Sequence, residues 1–160
     1  MNHYQAVATK ALALAAVLDP RVPDFDEARV HAWADCFAGR DIFEAEALQA
    51  VRDHYSQPNP WPILPGNVID RVSRMPVNSS PERVKAFIAR WSNYPYSNAI
   101  QQLTGLDWTP TYPAPPGIHG NLEAEREFHR REMRQWIADN ALQLVQGALD
   151  NKNPVLALEQ

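Results

Sequence analysis

Apolar residues recur along this chain at intervals of three and four, and prolines cut the pattern into lengths that suit helices. That spacing places side chains on one face of an α-helix, whereas a strand would need alternation with period two. No alternation longer than a few residues occurs. The sequence therefore predicts an all-α protein: a small helical bundle, a Pro-rich connector and a long C-terminal helix.

The first stripe is Val7, Ala11, Leu14 and Leu18, on a helix from about Tyr4 to Leu18 that Pro20 ends. Val30, Trp33 and Phe37 mark a second helix, which Gly39 is placed to stop. Leu48, Val51 and Tyr55 mark a third, with Ala47 and Ala50 leaving room for a neighbour. Asp24 with Glu27, and Asp41 with Glu44, carry an acidic variant of the capping-box spacing at the starts of these two helices. A proline-rich break follows, and a fourth helix begins at Pro65, where a missing N–H costs nothing. Trp61 and Ile63 in that break are expected to fold back over the helix pair. Residues 1–76 thus read as a four-helix domain.

Residues 77–106 hold two further helices, one bearing Val84, Phe87, Ile88 and Trp91, the other Ile100 and Leu103 before Gly105. They either extend the first core or form a small second lobe. Residues 107–120 are a proline-rich connector expected to lie extended on a surface. Residues 121–151 read as one helix, with Met133, Ile137, Ala141, Leu144 and Ala148 on one line. At about 30 residues it would span ~45 Å, long enough to project, to pair with a second copy or to dock on its own chain. Residues 152–160 are a tail.

Charge and motifs narrow the function. A net charge of −4 argues against a surface wholly devoted to phosphate backbones. With Cys36 as the single cysteine, neither an intramolecular disulfide nor the usual Cys-based zinc site can form. The start of the chain lacks the positive region of a signal peptide, and the run from Ala11 to Leu18 is too short to span a bilayer. A cytoplasmic protein with no membrane association is expected.

No glycine precedes a lysine, so there is no Walker A loop. The GxxG of Gly117 to Gly120 lacks the basic residues of a nucleic-acid clamp. His3, His31, His54, His119 and His129 form no HxxxH or HExxH pair, and each reads as a surface or half-buried residue. His31 and Asp35 share a helical face without an associated nucleophile. The expectation is a non-enzyme without a cofactor or metal.

One constellation points outward. Arg126, Arg130 and Arg134 recur every four residues, with Arg131 beside them. They form either a solvated face, with Glu127 pairing to Arg131, or a contact surface for an acidic partner or phosphate. Phe128, Met133 and Trp136 supply anchors of the kind that dominate interfaces. A second docking loop would be Trp61, Pro62 and Ile63, should Trp61 face solvent.

The run Ala28-Arg29-Val30-His31-Ala32-Trp33-Ala34, then Phe37, then Ala47 through Tyr55, then a proline-flanked loop into Pro65-Gly66-Asn67-Val68-Ile69, resembles the phage replicative-helicase loader and inhibitor family. The resemblance covers about residues 5–75. Leu64 departs from it, standing where a Ser or Thr cap is expected. The resemblance implies a cytoplasmic adaptor in the bacterial host that binds a DnaB-type replicative helicase without hydrolysing ATP. It also implies that the helicase contact lies in the C-terminal region and that other replication proteins engage the helical domain. Two alternatives stand beside it. One is a small DNA-binding protein using residues 65–75 with Arg71 and Arg74, although Asp70 beside them offsets the charge. The other is a phage protein that inhibits a host enzyme by docking its long helix in a groove.

Overall fold

The computed structural model describes residues 1–154. Among them the chain is entirely helical: α1 (His3–Leu18), α2 (Glu27–Phe37), α3 (Glu44–Tyr55), α4 (Pro65–Ser73), α5 (Pro81–Trp91), α6 (Ala99–Thr104), α7 (Leu122–Asp139) and α8 (Ala141–Asp150). The all-α expectation holds. The chain divides into two compact units, Met1–Met75 and a second beginning at Pro76.

In the first unit α1 packs against α2 and α3, and α4 closes on α3 and α2. Trp33 and Phe37 on α2 meet edge-on with ring centres 6.0 Å apart, inside a core shared with Val51 and Val68. The buried face of α1 is rotated from the expected stripe: Ala8, Leu12 and Ala15 are fully buried, whereas Leu18 is 45% exposed. The alanines draw the neighbouring backbones close, and the closest approach sets the face.

Both acidic starts differ from expectation. Asp26, not Asp24, caps α2, its carboxylate accepting the Arg29 N–H at 2.8 Å. Phe43, not Asp41, occupies the cap of α3 and gives it no side-chain bond, leaving Glu44 and Glu46 to favour the positive helix end. At α4 the apolar Leu64 side chain can accept nothing, and the Asn67 side chain instead reaches back to accept the Leu64 N–H at 2.8 Å. That is half of a capping box, supplied from the far side.

The second unit contains residues 77–106, the connector and everything described after it. Val84, Phe87 and Ile88 of α5, Ile100 and Leu103 of α6, Met133 of α7, and Leu144 and Ala148 of α8 form one core. The single helix expected over 121–151 is two helices. Asn140 breaks it: its backbone N–H and its side-chain amide both donate to the Trp136 carbonyl, at 3.0 and 2.8 Å, while its own carbonyl accepts from Leu144. The break lets α8 lie back on α5 and α6 instead of continuing the axis of α7. Asn78, just ahead of α5, fastens the far end of α8 through 2.8 Å bonds to the carbonyls of Ala148 and Asn151. α5 and α8 therefore run antiparallel.

The connector is strapped along α7. Trp108 packs against Trp136, and Thr111 donates from its N–H and its hydroxyl to the Glu132 carboxylate at 2.9 and 2.6 Å. Of the tail expected over 152–160, residues 155–160 lie outside the described residues.

Candidate docking surfaces

The residues expected to make one contact surface on α7 are dispersed around the helix. Met133 is fully buried in the second core, so it cannot serve as a surface anchor. It shares that core with residues of α5, α6 and α8. Arg130 donates to the Asn93 carbonyl at 3.3 Å and pairs with Glu127 at 2.5 Å, at i, i+3 rather than through the expected Glu127 to Arg131 pair. Arg134 donates to the Asn93 side-chain oxygen. Two of the three stripe arginines thus clamp α7 to the turn between α5 and α6. Arg126 and Arg131 are exposed. Phe128, Arg131 and Trp136 border a shallow hollow beside the connector, together with Trp108.

A deeper feature that the sequence did not announce is an open groove of about 820 Å³ between α5, the last turns of α7 and the first half of α8. Ile88, Ile137, Leu144 and Val145 give it an aliphatic lining. Leu142 stands at its rim, 86% exposed. Lys85 and Arg134 line it, and among the described residues no carboxylate does. A groove of this kind needs α8 folded back, and only the helix break permits that.

The loop before α4 is the second candidate. Trp61 is 83% exposed, against the expectation that it folds inward, whereas Ile63 is buried in the first core. Hydrogen bonds fix the loop backbone on both sides of the indole. His54 Nε2 lies 2.5 Å from the Trp61 carbonyl, Arg21 donates to the Pro60 carbonyl at 2.6 Å, and the Ile63 N–H donates to the Tyr55 hydroxyl oxygen at 3.0 Å. The bond to Pro60 comes from an ion pair, since Arg21 also holds buried Asp19 at 2.8 Å. The Arg21 guanidinium keeps the Asp19 carboxyl at about 2, with the Arg21 N–H and the Tyr55 hydroxyl assisting and burial opposing. Burial pushes the Tyr55 phenol up. Exposure of Trp61 is thus built into the loop, and Leu64 three residues on is exposed as well.

Sequence reading also missed two histidines. His54 is buried, and His129 is fully so. The Thr111 carbonyl, 2.9 Å from His129 Nε2, can only accept, so Nε2 carries a proton and Nδ1 accepts from the Tyr96 hydroxyl at 2.9 Å. One ring nitrogen thus ties α7 to the connector at Thr111 and the other ties it to the turn between α5 and α6 at Tyr96, with the Tyr112 ring 4.8 Å away. No nucleophile adjoins the pair. Burial is also the first cause raising the Tyr96 phenol. The signal that could have exposed His129 is its place one helical turn before Met133 on the buried face of α7.

His31 lies beside Glu27, 3.9 Å away, rather than acting with Asp35. Arg74 pairs with Asp70 at 2.9 Å, which leaves Arg71 as the cation of α4 without a partner among the described residues. Among the described residues no three His, Cys, Asp or Glu side chains converge as metal ligands, and no helix is long and apolar enough to cross a membrane. Comparisons with protein-family models, with characterised proteins and with solved structures returned no match.

Proposed function

We propose that this chain is a non-enzymatic adaptor of phage DNA replication that binds a DnaB-type replicative helicase and loads or inhibits it. The observation that carries the reading is the apolar groove of the second unit, with Leu142 exposed at its rim. Open apolar grooves between helices are how small helical proteins receive a partner's helix. In the family that residues 5–75 resemble, the helicase contact belongs to the C-terminal region, which is where this groove lies. The built loop that presents Trp61 supports a second contact, suited to another replication protein, because an exposed aromatic on a fixed backbone binds with little ordering cost.

The reading of Arg126, Arg130, Arg131 and Arg134 as one phosphate-binding stripe draws less support, since two of them already bond Asn93. The DNA-binding alternative has one cation without a partner among the described residues, on a nine-residue helix, to offer. Inhibition of a host enzyme would use the same groove as helicase binding, and differs only in what occupies it. The test is co-expression of the tagged chain with the replicative helicase of the phage and of its host. Co-purification that is lost in Leu142→Glu is expected. Absence of association with either helicase at low salt rejects the reading.

A further inference from the structure

We infer that the groove between α5, α7 and α8 receives an amphipathic helix of a partner protein that carries a carboxylate near each end of its apolar face. This deepens the adaptor reading and rests on it only in treating the groove as a protein-docking surface. Shape and charge together select the occupant. The lining residues Ile88, Ile137, Leu144 and Val145 are aliphatic, so the occupant must offer an apolar stripe.

Length follows from α5. The wall runs from Pro81 to Ser92, about 16 Å at 1.5 Å per residue, which matches about three turns of a docked helix. Among the described residues, the two charged side chains that line the groove are both cations. Lys85 lies in the first half of α5, while Arg134 is held beside Asn93 just past its end. Eight residues of helix separate those positions, about 12 Å. Carboxylates two turns apart, at i and i+7 or i+8, would meet them both. A second copy of this chain would have to bring Lys85 and Arg134 toward their own counterparts across a two-fold axis, which like charge disfavours. An apolar tail with one carboxylate would satisfy one cation and leave the other unused.

The probe is a synthetic helix-forming peptide of about four turns, with leucines at i, i+3, i+4 and i+7 and glutamates at i+1 and i+8, seven residues apart along one edge of the stripe. A control peptide has lysines in place of the glutamates. Binding is followed by amide and methyl chemical shifts of the full chain. The glutamate peptide should shift Ile88, Ile137 and Leu142, with affinity that falls as salt rises. Leu142→Glu should weaken it at least about tenfold, because a charge replaces the exposed apolar contact. Lys85→Glu should weaken it about threefold, the scale of one surface pair, and should improve binding of the lysine peptide. Circular dichroism of both variants checks that the fold is kept.

Equal binding of the two peptides, shifts confined to other surfaces, or no binding overturns the inference. So does decanoate occupying the groove when the peptide does not, or concentration-dependent dimerisation that Leu142→Glu abolishes. If the glutamate peptide binds and no helicase does, the adaptor reading falls while the groove's specificity stands. The reverse outcome removes this inference alone.

Discussion

Gly147 on α8 lies against the backbone of Thr104 so closely that a Cβ built on it would meet the Thr104 carbonyl oxygen at 2.3 Å. Glycine is there for approach, not for a turn, since Gly147 sits inside a helix. Gly147→Ala gains up to about 1 kcal/mol in helix propensity, yet forces α8 off α6 at a cost of about 1–3 kcal/mol or more, because the obstruction is backbone. Because the obstruction at 2.3 Å is backbone, the upper end of that cost applies, and net destabilisation of about 2 kcal/mol is expected in urea unfolding. A variant as stable as the wild type would show that α8 does not dock in this way.

His129 should behave as a structural tie. His129→Ala removes a fully buried ring and leaves the Thr111 carbonyl without its donor. A loss of about 3 kcal/mol is expected from the cavity and the unmade bond together. Near-ultraviolet dichroism should change as well, since Tyr96, Tyr112 and Phe128 all contact this ring. An unaltered spectrum with unchanged stability would contradict the tie.

Asp19 gives the first unit a defined response to acid. Its folded carboxyl is held at about 2 against an ordinary 3.8, mainly by the Arg21 side chain. A folded value below the unfolded one means stabilisation that is complete above about 4 and is lost as pH falls from there to about 2. Asp19→Asn cannot follow that course. The stability gap between wild type and Asp19→Asn should be full at pH 6 and should narrow steadily from pH 4 to pH 2. A gap independent of pH in that window would show that the ion pair does not hold the carboxyl down.

Trp61 and Tyr55 should separate surface from support. Trp61→Ala, at an 83% exposed position, should change stability by less than about 0.5 kcal/mol. Tyr55→Phe removes the hydroxyl that accepts from Ile63 and bonds Asp19, and should cost about 1–2 kcal/mol. Thermal denaturation of the two variants checks both. If Trp61→Ala were the more damaging, the indole would be a packing group and not a docking group.

The helices were legible wherever packing follows a regular period. Val30, Trp33, Ala34 and Phe37 fall on one buried face as their spacing demands, and Pro65 opens α4 as its missing N–H allows. What escaped was set by long-range geometry. Met133, Ile137, Ala141, Leu144 and Ala148 keep helical spacing across Asn140, so the periodicity carries no sign of the break. Only the amide of Asn140 closing on Trp136 ends α7. The same break turns Met133 from an expected anchor into core and creates the groove that no single helix could carry. Trp61 was misplaced because an apolar residue in a proline loop next to a core is expected to enter it. Ile63 took that place, and hydrogen bonds with the end of α3 and with Arg21 fix the loop with the indole outward.

The central claim is that the groove of the second unit is where a replicative helicase docks. Hydrogen–deuterium exchange of the full chain, alone and with a purified DnaB-type hexamer, tests it most directly. Expected is slowed exchange in residues 85–92 and 137–146, absent when Leu142→Glu replaces the wild type. Exchange unchanged in both segments while the hexamer is bound, or no complex at all, would contradict it.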